Sequence, residues 1–472
     1  MNDMVKKILK IIVRVIVIFV VSVIVVNILT PIFQKDVTDQ YKEKIAQTEF
    51  EADQPGTERI RCIDDNEEAL LWRLRMIGAA QESIELSTFD FRTDESGLDV
   101  MAALYDAADR GVKVRILIDG IYQPIFLRNS NKSFSTLCAH ENIDVKFYNP
   151  IELNNIYHVN YRMHDKYIMV DDRMYLLGGR NTTDIFLGKL HKGSNIDREV
   201  LVYNMENGKG ASYQQLENYF DKIWNEKCAK LVEPSVKEKV YTAQSEVFQK
   251  RYQTLMEKYG DFTQYDSWTE GTCEADKITF LSNGTSADGK GPGVLYAIEQ
   301  LAAKGHEVSI QTPYIICNRY MYSVLSHIGE NADLKIFINA VENGTNPWGC
   351  TDYLNNKNKI LATGADIYEV MNDYALHTKA VLVDDNLSII GSYNLDMRST
   401  YLDTELMLVV DSRELNAHIR EQMEYYKEES IEVLSDGTEI TNPLYREQKL
   451  NIMKKLSYSA LRILTIPFRH LL

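Results

Sequence analysis

The chain has 472 residues, 45% of them hydrophobic, which excludes a disordered protein and is enough for two domain-sized cores or one large two-lobed one. Its formal charge, 52 basic less 68 acidic residues or −16, is a poor match for a protein that tracks nucleic acid over a long surface, so no nucleic-acid partner is expected. Six cysteines lie far apart with no C-x-x-C among them, which argues against structural zinc, and neither metal nor cofactor is expected.

Residues 11–33 are almost wholly apolar, broken only by Arg14, Ser22, Asn27, Thr30 and Pro31, and a bilayer-spanning helix needs about 20 such residues. No small-x-small cleavage site follows, so residues 1–34 read as an uncleaved single-pass anchor in the cell membrane. Lys6, Lys7, Lys10 and Arg14 cluster at the N-terminal end of the apolar run, while the far flank mixes both signs of charge. The positive-inside rule then places everything after the anchor on the extracytoplasmic side. Residues 35–64, charged and carrying Pro55-Gly56, read as a tether.

A first repeat is predicted over residues 65–230. Hydrophobic periodicity predicts a helix over 67–81, a strand over 83–91, a helix over 98–110 and a strand over 112–118. Then follow an irregular stretch, a strand over 144–148, and two short buried strands, 167–170 and 174–177, joined at Asp-Asp-Arg. Residues 211–256 look helical, and 261–292 is rich in Gly, Ser, Thr and Asp, so 231–292 reads as a connecting helix and loop. A second repeat over 293–435 has the same order: helix 293–304, strand 307–314, helix 320–329, strand 334–338, strand 366–370, then paired strands 380–383 and 387–390 joined at Asp-Asp-Asn. Alternation at this spacing predicts mixed α/β layers with helices on both faces.

Each repeat carries one sentence of chemistry. His164, Lys166 and Asp171 stand as H-x-K-x-x-x-x-D, and after six intervening residues comes Gly178-Gly179-Arg180-Asn181. His377, Lys379 and Asp384 repeat the spacing, with Gly391-Ser392-Tyr393-Asn394 after the same interval. Alternate residues of a strand share a face, so each His and Lys point the same way, one a nucleophile and the other a fixed cation. Asp171 and Asp384 follow their lysines by an odd step and are expected to face away and support the turns. Asn181 and Asn394 lie just past the second strand of each hairpin.

These residues resemble the phospholipase D superfamily, and the second half resembles its bacterial cardiolipin synthase branch. The resemblance covers about residues 65 to 412 and rests on the two motifs, on the run from Gly391 to Ser399 and on Gln311-Thr312-Pro313-Tyr314. It implies two tandem phospholipase D-like α/β/α sandwich repeats related by a pseudo-twofold axis. Met163, Thr400, Asp403 and Thr404 depart from that branch's usual residues, which leaves the reaction class intact and the acceptor alcohol open. The family works through a covalent phosphohistidine, usually on the first motif's histidine, which implies His164 as nucleophile and His377 as acid and then base.

Attack at phosphorus, protonation of the leaving alkoxide and neutralisation of the non-bridging oxygens need two histidines and several donors, and Lys166, Lys379, Asn181 and Asn394 supply the donors. Neither half has both histidines, so the halves must meet at one cleft. Each imidazole also needs an acceptor on its second nitrogen. Matching Asp197-Arg198-Glu199 with Asp403-Thr404-Glu405 makes Glu199 and Glu405 the candidates, with Asp197 as a competitor; Ser392 completes the expected site.

Residues 436–472 form the tail. Beyond Glu447 there is no acid, and Lys449, Lys454, Lys455, Arg462 and Arg469 interleave with apolar residues at helical spacing. That suits either an anionic membrane surface or docking on the enzyme's own core. The expected function is a membrane-anchored phosphatidyltransferase acting on a phospholipid such as phosphatidylglycerol. The alternative is a phospholipase D-type hydrolase, less readily a nuclease.

Overall fold

The structure, a computed structural model, describes residues 3–121, 131–153, 155–206 and 208–472. Part of the irregular stretch expected after residue 118 lies outside them. Strands of the first half are β1 (Glu58–Ile63), β2 (Ser83–Thr88), β3 (Lys113–Asp119), β4 (Ile143–Tyr148), β5 (Tyr167–Val170), β6 (Met174–Gly178), β7 (Asn195–Ile196), β8 (Glu199–Asn204), β9 (Ala229–Leu231) and β10 (Cys273–Glu274). Those of the second are β11 (Lys277–Ser282), β12 (Glu307–Gln311), β13 (Ile315–Ile316), β14 (Asp333–Asn339), β15 (Asp366–Val370), β16 (Ala375–Leu376), β17 (Ala380–Val383), β18 (Leu387–Gly391), β19 (Leu395–Asp396), β20 (Leu406–Asp411), β21 (Ser430–Val433) and β22 (Glu439–Thr441).

The first sheet runs β10-β1-β8-β6-β5-β2-β3-β4-β9 and the second β11-β20-β18-β17-β12-β14-β15-β21-β22. From β1 and β11 onward the orders coincide strand for strand, so the duplication in the motifs is a duplication of the whole sheet. Both sheets are mixed: β2, β3 and β4 are parallel, as are β12, β14 and β15, whereas the motif hairpins β5–β6 and β17–β18 are antiparallel. Near-continuous burial of those hairpin strands is what a sheet covered on both faces requires.

Three apolar clusters hold the layers together. One packs the helices Asn66–Ala79, Glu95–Asp109 and Glu238–Tyr259 on the outer face of the first sheet, and a second packs Gly293–Ala302, Arg319–Asn331 and Pro347–Leu361 on the second. The third lies between the halves, where Met169, Tyr175 and Val202 share a core with Tyr368, Leu382 and Leu408. Asp65 and Asn318 cap the helices behind β2 and behind β14 by accepting the N–H of Glu68 and of Met321.

Several expectations change. The stretch read as a tether contains a helix, Asp39–Gln47, and β1, which pairs with β8 along its whole length. The helix expected over 211–256 is two helices, Ala211–Trp224 and Glu238–Tyr259, parted by β9 and by Pro234, which lacks the N–H a helix interior needs. The stretch expected as a connecting loop supplies β10 to one sheet and β11 to the other. At the N-terminus the helix Asp3–Leu29 continues into a turn at Thr30–Ile32, and the Lys10–Ile32 stretch is long and apolar enough to cross a membrane.

Candidate active site

Each motif strand is aimed by the opposite half. Just before His164, Met163 bridges to Thr404 of the second half, and the His164 N–H donates to the Thr404 carbonyl at 3.3 Å. Just before His377, β16 pairs with β7 of the first half, and the His377 N–H donates to the Ile196 carbonyl at 2.6 Å. Two short cross-connections therefore fix two catalytic candidates across the interface.

The imidazoles are held by the same exchange. Nδ1 of His164 lies 2.8 Å from Glu405 Oε1, and Nδ1 of His377 lies 2.6 Å from Asp197 Oδ2. With Nδ1–H donated to the carboxylate, Nε2 is the free base on each ring. Phe89 meets the His164 ring edge-on at 5.3 Å, and Phe186 meets His377 at 4.9 Å. Lys166 and Lys379 are buried, and each donates to the carbonyl of the histidine two residues before it; Lys379 also lies 3.5 Å from Asp197.

Glu199, expected behind a histidine, is not there. It forms a buried ion pair with Arg73, whose Nη1 donates at 2.7 Å, and Arg180 stands 3.7 Å away. The sheet register explains the difference: Gly178 pairs with Glu199 where Gly391 pairs with Met407, so the true counterpart of Glu405 is two residues earlier, Asp197. Gly179 and Ser392 are likewise equivalent. Ser392 donates its hydroxyl to Glu405, while a Cβ on Gly179 would fall 2.4 Å from the Asp197 carboxylate, so the shorter acid sits where the serine would be.

Asp171 and Asp384 lie outside this cluster. Both have positive φ, +50° and +49°, which Asp tolerates at hairpin turns. Asp171 accepts the N–H groups of Gln81, Glu82 and Ser83 at 2.7–2.9 Å, and Asp384 those of His306 and Glu307 at 2.8 and 3.0 Å, tying each turn to the start of the neighbouring strand. Asn181 accepts the Asp90 N–H at 3.3 Å, and Asn394 is buried beside Ser399 with its Oδ1 unpaired. An open cleft of about 670 Å³ runs from His377 past Tyr314 and Asn339 to the 344–347 loop.

The electrostatics of the two half-sites differ. Burial pushes Glu405 up to about 8 even with Lys166 beside it, whereas burial of Asp197 is overcome by Lys379 and His377, which hold it at about 2. Burial, with Lys379 adding to it, lowers His377 to about 4; burial and Lys166 take His164 well below its ordinary value. Lys166 falls to about 7, chiefly by burial, and Lys379 is lowered for the same reason. Two crowded, desolvated lysines beside two unprotonated imidazoles make a cavity that an anionic phosphodiester would complete.

Fold and cluster together define a class: a duplicated α/β protein with one His–Lys pair per repeat, the pairs meeting between the repeats. The family model described as "Cardiolipin synthase, PLD-like domain" matches residues 74–224 and 297–427, and the chain belongs to that family of phospholipase D-like phosphatidyltransferases and phosphodiesterases. It is 23% identical over 439 residues to an uncharacterised protein of Helicobacter pylori, covering 83% of this chain and 82% of the relative. It is 22% identical over 404 residues to cardiolipin synthase C of Escherichia coli, covering 76% and 83%. In fold it resembles the phosphatidylserine synthase of Haemophilus influenzae, with a TM-score of 0.64 at 17% identity over 92% of this chain and 99% of that one.

Proposed function

We propose that the protein is a membrane-anchored phosphatidyltransferase that takes a phosphatidyl group from phosphatidylglycerol and gives it to the hydroxyl of a second phosphatidylglycerol. The observation that carries the reading is the exchange of carboxylates: each Nδ1 is held from the other half, at 2.8 and 2.6 Å, which leaves two basic Nε2 atoms beside two buried lysines. In this scheme Nε2 of His164 attacks phosphorus and the P–O bond to glycerol breaks. His377, which takes up a proton on Nε2 as the anionic phosphodiester binds beside it, gives that proton to the departing alkoxide, and free glycerol leaves. The incoming hydroxyl then returns a proton to His377 as its oxygen displaces His164, forming the new P–O bond. Lys166, Lys379 and the amides of Asn181 and Asn394 neutralise the non-bridging oxygens.

The cardiolipin synthase relatives support lipid donor and lipid acceptor, and the apolar N-terminal helix supports attachment to the membrane. Lys6 and Lys7 before that span, with Lys10 and Arg14 in its first turns, support an extracytoplasmic catalytic part. The test incubates the purified, detergent-solubilised protein with labelled phosphatidylglycerol and resolves the products. Cardiolipin with free glycerol is expected; phosphatidic acid alone would make water the acceptor and the protein a hydrolase.

A further inference from the structure

The tail docks on the protein with one face only. In the helix Ile452–Leu464, Tyr458 is buried, Leu461 packs beside it on the second-half core, and Lys454 donates to the Glu342 carbonyl at 2.9 Å; Thr465, just beyond, is buried too. These positions lie one above another on a helix, so the opposite side is carried by Ile452, Leu456 and Ile463. They are 76%, 62% and 72% exposed. Ile466 and Phe468 continue the exposed apolar surface into the turn Ile466–Leu471. Lys455 and Arg462 flank the stripe, and residues 448–472 contain no acid in a chain whose net charge is −16.

This surface is joined to the foot of the anchor. His470 Nε2 lies 2.6 Å from the Ile28 carbonyl, and Arg398 holds the chain end through the carbonyls of Leu471 and Leu472. Arg398 Nη1 donates to the Asn160 carbonyl, and the Asn160 amide donates to the carbonyl of Asn27. The loop leading to His164 goes further up the anchor. Tyr157 packs edge-on against Phe19 and its hydroxyl lies 3.0 Å from Ser22, ten residues or about 15 Å of helix above Ile32. On that loop Ile151 and Leu153 are exposed.

We propose that the outward face of the C-terminal helix, with Ile151 and Leu153 beside it, forms one interfacial belt, seated in an anionic bilayer surface around the exit of the anchor, which holds the cleft against the lipid headgroups while Tyr157 reaches up alongside the span. Its occupant is the lipid surface itself. Apolar side chains flanked by Lys455 and Arg462, and continuous with a span already long enough to cross the bilayer, match that chemistry on both counts. The inference rests on the membrane-anchored reading and deepens it: the catalytic part is docked by a face rather than hung on a flexible leash.

The test uses the full chain in vesicles of phosphatidylglycerol and phosphatidylcholine. Leu456→Trp should have its added fluorescence quenched by lipids brominated in the upper acyl chain, and a reference Lys250→Trp, on an exposed helix of the first half, should not. Quenching of the first variant no greater than that of the reference would overturn the belt. Independently, Leu456→Asp/Ile463→Asp should lower turnover of vesicle phosphatidylglycerol about tenfold or more while leaving turnover of a short-chain monomeric phosphatidylglycerol unchanged; equal turnover of both forms would overturn it. If the wild type turned over neither form, the transferase reading would fail while the quenching result still decided the belt.

Discussion

Asp197 and Glu405 occupy equivalent places in the two repeats, and each holds the histidine of the other repeat, at 2.6 Å and 2.8 Å. Either histidine depends on the opposite half for its tautomer, while Glu199, two residues further along β8, belongs to a structural ion pair with Arg73.

Asp197→Asn and Glu199→Gln should therefore fail differently. The amide at 197 can no longer fix Nδ1–H, and kcat should fall about a hundredfold or more with the melting temperature little changed. Glu199→Gln leaves the Arg73 guanidinium buried without its charge partner, at a cost of about 3–5 kcal/mol. Thermal melts and single-turnover rates on both variants check this; a stable but inactive Glu199→Gln enzyme would contradict the register.

Gly179→Ala should behave like a weakened Asp197→Asn. The added methyl would lie 2.4 Å from the Asp197 carboxylate, whose displacement is less costly than moving two strands. Activity should drop well beyond the loss in stability. Ser392→Ala, in the equivalent position, removes only a hydroxyl from Glu405 and should cost less.

The pH dependence follows from the buried lysine and acid. With Lys166 near 7, kcat/KM should decline as pH rises through 7, because the free enzyme loses a phosphate-binding cation there. The acid limb should lie well below 6.5, since the attacking His164 is lowered and stays unprotonated in mild acid. Glu405, raised in the fold to about 8, contributes stability that is fully present below the unfolded carboxylate range and is lost as pH rises through 8. Glu405→Gln should flatten that loss between about pH 5 and 8 in denaturant titrations while abolishing turnover.

His377→Ala should separate attack from release. With a substrate whose leaving group needs no proton, such as a p-nitrophenyl phosphodiester, the variant should accumulate a phosphoramidate on His164, detectable by mass spectrometry of acid-sensitive peptides. His164→Ala should form no adduct. An adduct on His377 in that second variant would exchange the two roles.

The motif hairpins were legible in the sequence because their partners are near neighbours and their strands are buried on both faces, so each reads as a short unbroken apolar run. The strands β1 and β11 were not. Glu-Arg-Ile-Arg-Cys-Ile and Lys-Ile-Thr-Phe-Leu-Ser carry charged or polar residues on alternate positions, and their ladders are with β8 and β20, more than a hundred residues away. The misplaced carboxylate has a similar cause. Asp-x-Glu occurs before both β8 and β20, and matching that text hides a two-residue offset that only the pairing of Gly178 and Gly391 with their neighbours exposes.

The reciprocal holding of the histidines bears on how such a chain diverges. In a symmetric pair of identical subunits every change to one half-site is forced on the other, and both histidines must serve equally well as nucleophile and as acid. Once the two copies are joined in one chain, that constraint lifts. Asp197 facing Gly179 on one side and Glu405 facing Ser392 on the other are two solutions to one geometric problem, free to drift toward separate duties. Each substitution must still be tolerated by the histidine it serves, which lies in the other copy, so the repeats can specialise but cannot evolve apart.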